Sequence, residues 1–173
     1  EDEPPVTTVP PDAGRSWWLR EALAEDPGEP APPLQGDLTT DVVILGGGYT
    51  GMWTALHLTD LDPGLDVAIV EQDIAGGGAS GRNGGFANSM WFSLPSMRPR
   101  FGDERAIAVA RAAQRAVDEI GAWCEEQGVD AWFAPGGQLV VSTAPAQDET
   151  GLEAVRVAAE LGVADRVVRL TPE

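Results

Sequence analysis

The sequence predicts an α/β domain built around a parallel β-sheet, and two features of its first half lead to this class. An apolar run at 41–46 is followed by a glycine-rich turn and then by apolar residues at helical spacing from Thr50 to Leu61. A second apolar, β-branched run, at 66–71, follows this helix. A strand, a helix and a strand in this order predict a right-handed crossover between two parallel strands.

The N-terminal segment, residues 1–40, is rich in proline and acidic residues, which predicts extended or connecting structure for most of its length. A short helix interrupts it, with Ser16 as its N-cap and with Trp17 and Trp18 available to dock on the domain. We therefore divide the chain into this segment and a single domain that covers residues 41–173.

The second half of the domain contains two further helical patterns, at 102–127 and at 144–161. Between them, 131–134 and 138–143 have the composition of strands around a Pro-Gly-Gly turn, which predicts an added antiparallel hairpin. The run at 166–170 predicts one more strand. One face of the first of these helices is apolar and consists of Ala110, Ala113, Val117, Ile120 and Cys124.

The charge balance disfavours several classes of partner. Eleven arginines, no lysine and 28 acidic residues give a net charge of −17, and such a surface repels nucleic acid and anionic membranes. A single cysteine, Cys124, excludes an internal disulfide and predicts a buried thiol in a reducing compartment. Without a membrane-spanning apolar stretch or a secretory leader, we expect a cytoplasmic location.

The turn after the first strand has the spacing of a dinucleotide-binding fingerprint. Gly46 permits the tight turn, Gly48 allows a pyrophosphate to approach the backbone, and Gly51 lets the helix pack close to the strand. The N-terminus of that helix favours phosphate, and Glu71, at the end of the second strand, can accept hydrogen bonds from ribose hydroxyls. Together these features predict a Rossmann-like dinucleotide site.

The choice of dinucleotide depends on the residues after Glu71. Residues 72–78 contain no cation for a 2′-phosphate, which disfavours NADP and leaves NAD and FAD. A second glycine segment, residues 76–85, favours FAD because so many glycines suit a bulky cofactor that passes close to the backbone. Its Arg82 could neutralise a pyrophosphate or place positive charge near a flavin ring; the alternative is a flexible loop with a solvated arginine.

These motifs resemble those of a known family. Val43-Ile-Leu-Gly-Gly-Gly-Tyr-Thr-Gly51, Val70-Glu71 and Gly78-Ala-Ser-Gly-Arg-Asn-Gly-Gly85 are similar to the FAD-dependent amine and D-amino-acid oxidoreductases (the DAO family). The resemblance is strongest to the subgroup similar to gamma-glutamylputrescine oxidoreductase, in which a Ser-Trp-Trp-like segment also precedes the first strand. It implies a Rossmann-like FAD-binding domain of the glutathione-reductase type.

The resemblance also implies the site. The first glycines would line the pyrophosphate, Glu71 would hold the adenosine ribose, and residues 80–85 would surround the ribityl and flavin end. Since no histidine stands in the second glycine segment, FAD would be non-covalent there. The residues expected to bind FAD are Gly46, Gly48, Tyr49, Thr50, Gly51, Glu71, Gln72, Ala79, Ser80, Gly81, Arg82, Asn83, Gly84 and Gly85.

For function, the resemblance implies oxidation of a small amine or amino acid by hydride transfer to flavin, with hydrolysis of the imine. Family members are typically much longer chains, so we expect this to be the N-terminal portion of a truncated domain, with substrate-binding residues beyond 173. By itself it should bind FAD weakly and not oxidise amines. The alternatives are an NAD-dependent dehydrogenase domain and a non-catalytic dinucleotide-binding fragment. No catalytic residue or oligomeric state is assigned.

The remaining candidates have structural interpretations. His57 is expected to be a partly exposed helix residue, and the pairs Trp91-Phe92 and Trp132-Phe133 are expected to pack in apolar surroundings rather than border a substrate pocket. With one histidine, one cysteine and no acids clustered at ligand spacing, the sequence predicts no metal site.

Overall fold

The computed structural model describes residues 14–25, 28 and 31–170. Predictions that fall on the other positions lie outside the described residues. The chain divides into two compact units, Glu1–Gly85 and Phe86–Glu173, and each is described by itself.

The first unit contains the expected strand–helix–strand arrangement. Strand β1 (Val42–Leu45) pairs in parallel with β2 (Val67–Val70), and helix α2 (Tyr49–Leu61) lies between them in sequence. Val42 is opposite Val67 and Leu45 is opposite Val70. The prediction of two parallel strands joined by a helix is confirmed.

The short N-terminal helix also forms, as α1 (Trp17–Glu25). The Ser16 hydroxyl accepts a hydrogen bond from the Leu19 N–H at 3.1 Å, which is the geometry of an N-cap. The predicted cap and the predicted helix are therefore both confirmed.

Within its described residues, 86–170, the second unit contains three α-helices and a buried apolar core. These are α3 (Leu94–Phe101), α4 (Asp103–Gln127) and α5 (Pro145–Glu160). The core cluster comprises Trp91, Leu94, Met97, Ala106, Ala110, Val157, Ala158 and Val163. Helices α4 and α5 agree with the sequence patterns, and Cys124 is buried as expected.

Helix α3 is not among the elements predicted from the sequence, and its segment contains two prolines. Pro95 lies in the first turn, where a helix does not need the missing N–H. Pro99 lies inside the helix, but the helix ends two residues later, so the ring removes little. Gly102, at φ +78°, ends the helix in a conformation that favours glycine.

The antiparallel hairpin predicted at 131–143 is not confirmed, since no strand is assigned there, and none at 167–170. The turn residues make short-range hydrogen bonds instead, such as the Gly136 N–H to the Ala134 carbonyl. Phe133 packs against Gly121 of α4. An isolated two-stranded hairpin is only marginally stable, so a packing contact of this kind can outweigh strand pairing.

Candidate dinucleotide-binding site

The first glycine segment, residues 46–51, makes a tight turn between β1 and α2. Gly46 has φ +105°, and its N–H donates to the Val70 carbonyl at 2.8 Å, which ties the turn to the end of β2. A Cβ added to Gly51 would overlap the Gly46 carbonyl oxygen. Glycine is therefore needed at both positions, one for its backbone conformation and the other for close approach.

The Glu71 carboxylate lies at the end of β2 and bonds to this turn. Its Oε2 accepts from the Gly47 N–H at 2.6 Å, while Oε1 accepts from the Gln72 N–H at 2.8 Å and the Asp73 N–H at 3.3 Å. The backbone bond from Gly47, followed by those from Asp73 and Gln72, lowers the pKa of Glu71 below its ordinary value. The side chain therefore remains an ionised acceptor, and a carboxylate has capacity for a further donor.

The second glycine segment lies against the start of α2. The Ser80 hydroxyl accepts from the Tyr49 N–H at 3.0 Å, and a Cβ added to Gly48 would lie 2.9 Å from that same oxygen. The Asn83 amide donates to the Tyr49 hydroxyl at 2.9 Å and to the Ser80 carbonyl at 2.6 Å. The structure thus brings together two segments that are about thirty residues apart in sequence, as the hydrogen-bond separations of 31 and 34 positions record.

One residue of this arrangement, Gly47, is not among the residues predicted from the sequence. Gly47 is buried, and its carbonyl accepts from the Gly76 N–H at 2.9 Å. A Cβ added to Gly47 would lie 3.1 Å from the Cα of Ala75, so glycine permits the close approach of the two loops. The sequence signal for Gly47 is its place as the middle glycine of the Gly-Gly-Gly run. The dinucleotide-binding fingerprint gives no role to that position.

The start of α2 retains hydrogen-bond donors for a ligand. The first intrahelical bond runs from the Met52 N–H to the Gly48 carbonyl at 3.0 Å, so the Thr50 and Gly51 N–H groups precede the helical ladder. These two donors, together with the helix dipole, favour an anion at this end of the helix.

The remaining predicted residues of the second glycine segment are exposed or partly exposed. Ala79–Gly81 forms one 3-10 turn, and the Gly85 N–H donates to the Asn83 side-chain oxygen at 2.8 Å. Arg82 and Gly84 are exposed. Within the described residues, the Arg82 guanidinium has no ion pair, so its charge is available to a ligand.

One cation outside residues 72–78 bears on the prediction that the site does not bind a 2′-phosphate. The Arg15 guanidinium lies 4.0 Å from the Asp73 carboxylate, two positions beyond Glu71. The negative charge of Asp73 already pairs with the positive charge of Arg15. The nearby Glu71 carboxylate, whose pKa is lowered, is also negatively charged. The arrangement fits an unphosphorylated ribose and a pyrophosphate, because it combines a carboxylate acceptor, helix N–H groups and glycines that leave room for the backbone approach.

The lesser candidates take no part in this site. His57 is exposed on α2 and stacks on Trp53 with ring centroids 5.8 Å apart. Trp91 is buried and Phe133 packs against Gly121, as expected, whereas Trp132 is 61% exposed rather than buried. Among the described residues, no group of three or more His, Cys, Asp or Glu could hold a metal ion. None of the helices described is long and apolar enough to cross a membrane.

Comparisons with known proteins identify the family of the chain. Residues 41–173 match the family model described as FAD dependent oxidoreductase (DAO). The chain is 34% identical over 112 residues to gamma-glutamylputrescine oxidoreductase of Escherichia coli strain K12, covering 64% of this chain and 26% of that protein. It is also 34% identical over 120 residues to the probable oxidoreductase OrdL of Rhizobium meliloti strain 1021, covering 69% of this chain and 27% of that protein.

The chain thus spans about a quarter of the length of these two relatives. No solved structure matches it significantly. The family model covers the first glycine segment, Glu71, the second glycine segment and all of the second unit. The chain belongs to the FAD-dependent oxidoreductase family, the DAO family.

Proposed function

We propose that residues 46–85 hold FAD non-covalently, as the cofactor-binding part of an oxidoreductase that acts on a small amine or amino acid. The observation that carries this proposal is the meeting of both glycine segments at the N-terminus of α2, beside the ionised Glu71. A surface turn of another α/β domain would need neither the bonds between the segments nor a carboxylate fixed at the strand end.

Each part of the site has an expected role. The Thr50 and Gly51 N–H groups would bind the pyrophosphate, with Gly46 and Gly48 leaving room for it. Glu71 would accept from the adenosine ribose through capacity that its three backbone bonds leave open. The second glycine segment would face the ribityl and flavin end.

Arg82 would supply positive charge to the FAD site from the second glycine segment. Its guanidinium is exposed, and a cation near the flavin stabilises the negative charge that reduction adds. The other residues of the site would contact FAD mainly through their backbone or would orient the residues that do. They are Tyr49, Gln72, Ala79, Ser80, Gly81, Asn83, Gly84 and Gly85.

FAD, when bound, supplies a two-electron acceptor for hydride from the carbon next to the substrate nitrogen, after which the imine is hydrolysed. The name of the Escherichia coli relative supports an amine as the substrate class. Because this chain spans about a quarter of its relatives, we expect it to bind FAD without oxidising amines by itself. A cytoplasmic location, suggested by the single cysteine, is part of the same proposal.

Titration of the purified chain with FAD, NAD⁺ and NADP⁺ tests the cofactor assignment. We expect FAD to bind, with a change in its visible absorption and fluorescence, and the two nicotinamide dinucleotides to bind far more weakly. Glu71→Gln should weaken FAD binding, since an amide replaces an ionised acceptor by one with half its acceptor capacity.

Glu119→Gln, an exposed substitution on α4 with the same change of charge, is the matched control and should leave FAD binding unchanged. Binding of NAD⁺ in preference to FAD would instead support a nicotinamide-dependent dehydrogenase domain. Turnover of an amine by the isolated chain would contradict the expectation that it only binds cofactor.

A further inference from the structure

We infer that α1 is a structural part of the FAD site and that Trp18 is a positioning residue for the flavin end of the second glycine segment. The inference rests on the proposed function, since it concerns the same cofactor. It extends that function to a helix which lies before residue 41, where the match to the family model begins.

Trp18 contacts the second glycine segment in two ways. Its indole N–H donates to the Asn83 carbonyl at 2.9 Å, across 65 positions of sequence. Its six-membered ring lies beside Gly85, because a Cβ added there would be 3.3 Å from Cζ2 and 3.7 Å from Cη2 of the indole. Gly85 also has φ +77°, so both its conformation and its contact with the ring require glycine.

Asn83 transmits this contact to the rest of the site. Its backbone carbonyl accepts from Trp18, while its side-chain amide donates to the Tyr49 hydroxyl and to the Ser80 carbonyl. The Asn83 side-chain oxygen accepts from the Gly85 N–H. The chain of bonds therefore runs from α1 through Asn83 to the first residue of α2.

Two further contacts of the α1 end lie in or just before the same segment. The Ser16 hydroxyl would be 3.7 Å from a Cβ added to Gly81, and the Arg15 guanidinium approaches Asp73 at 4.0 Å. Trp17, in contrast, is 65% exposed. Of the two adjacent tryptophans, Trp18 is therefore the one that holds the glycine segment.

The energetic consequence concerns conformational order. A segment with six glycines among residues 76–85 would lose much backbone entropy if it became ordered only on binding. By holding Asn83 and Gly85 in place beforehand, Trp18 would reduce the ordering cost of FAD binding. It would do so without touching the pyrophosphate donors of α2.

Because Trp18 contacts the flavin end of the site and not the pyrophosphate donors, two ligands can distinguish the two ends. FAD requires both ends of the site, whereas ADP carries only the adenosine and pyrophosphate portion. Trp18→Phe removes the indole N–H but retains an aromatic ring, and it should raise the FAD Kd about three- to tenfold, the usual consequence of losing one hydrogen bond. The ADP Kd should remain at the wild-type value.

Trp18→Ala should weaken FAD binding further than Trp18→Phe, because the ring contact with Gly85 is lost as well. Trp17→Phe is the matched control and should change neither affinity. Hydrogen exchange of the amides in residues 79–85, measured without FAD, should become faster in both Trp18 variants and not in the control.

The outcomes separate this inference from the proposed function. If wild-type chain binds FAD but Trp18→Phe changes neither the FAD Kd nor the exchange of residues 79–85, the positioning role is overturned and the FAD site stands. An equal loss of FAD and ADP affinity would also overturn it, since that result indicates a general structural role. If the wild-type chain binds no FAD, the proposed function itself fails.

Discussion

In the unit Phe86–Glu173, apolar side chains of three helices are buried against one another, and Leu94, Ala106, Ala110 and Ala158 have no solvent exposure at all. In the unit Glu1–Gly85, none of the described hydrophobic side chains is buried, and Val43 and Leu45 of β1 are 56% and 82% exposed. The contacts that define the candidate site there are hydrogen bonds between glycine-rich loops.

The two units thus differ in what their contacts provide: folding stability in the second unit and ligand-binding groups in the first. Apolar burial is the main source of folding free energy, so the second unit contains the better means of stabilising itself. The first unit instead retains backbone donors and a fixed carboxylate, which are groups that a ligand can use. A cofactor that binds the folded form would therefore stabilise the first unit by mass action, and we expect FAD to raise its stability more than that of the second unit.

The largest effect is expected from Leu94→Ala, which tests the stability side of this comparison. Leu94 is fully buried in the core of the second unit, and truncation of such a leucine costs about 2–5 kcal/mol of unfolding free energy. Thermal or denaturant unfolding followed by circular dichroism measures the loss. The FAD affinity, determined well below the unfolding transition, should remain near the wild-type value.

The control for Leu94→Ala is Leu139→Ala, since Leu139 is 73% exposed and should change stability little. A large loss of FAD affinity in Leu94→Ala at a temperature where the chain is folded would contradict this prediction, since FAD binding would then depend on the core of the second unit.

Gly51→Ala tests the binding side. The added methyl would overlap the Gly46 carbonyl oxygen, so the turn before α2 would have to open. We expect the FAD Kd to rise by roughly tenfold or more, with little change in the unfolding of the second unit. The titration with FAD described above measures it.

The matched control, Gly151→Ala, places the same methyl on α5, where nothing lies within 4 Å of the added Cβ. Alanine is favoured over glycine inside a helix by about 0.5–1 kcal/mol, so this variant should gain stability and bind FAD normally. Equal FAD affinities for Gly51→Ala and wild type would mean that the turn is not part of the site.

The first unit could be predicted from sequence because its signals are local. Apolar periodicity identified β1, α2 and β2, and Ser16 marked the start of α1. The bonds between its loops could not be predicted in the same way. The contact of Trp18 with Asn83 spans 65 positions, and no local pattern specifies which carbonyl an indole reaches.

In the second unit, local signals were misleading where packing decided the structure. No helix was predicted at 94–101, yet α3 forms there with Pro99 inside it, and Leu94 and Met97 enter the core. The Pro-Gly-Gly turn indicated a hairpin, whereas Phe133 packs on Gly121 of α4 instead. Both differences are cases in which tertiary burial outweighed local propensity.

The smallest expected effect is the pH dependence of FAD binding, which concerns a single carboxylate. Three backbone N–H donors lower the pKa of Glu71 below its ordinary 4.5, so its acceptor role is present above that pH and is lost only as the pH falls through the lowered value. The FAD affinity of the wild type should therefore be constant between pH 7 and pH 5. Glu71→Gln should bind more weakly at every pH in this range and with no slope of its own.

The pH range in which FAD binding can be measured ends near the chain's isoelectric point of about 4.2, where net charge no longer keeps the protein soluble. Within it, a loss of wild-type affinity with a midpoint above pH 4.5, absent from Glu71→Gln, would mean that the pKa of Glu71 is raised. The carboxylate would then not be held by the Gly47, Gln72 and Asp73 N–H groups in solution. The site would in that case lack the preorganised acceptor that distinguishes the first unit from the second.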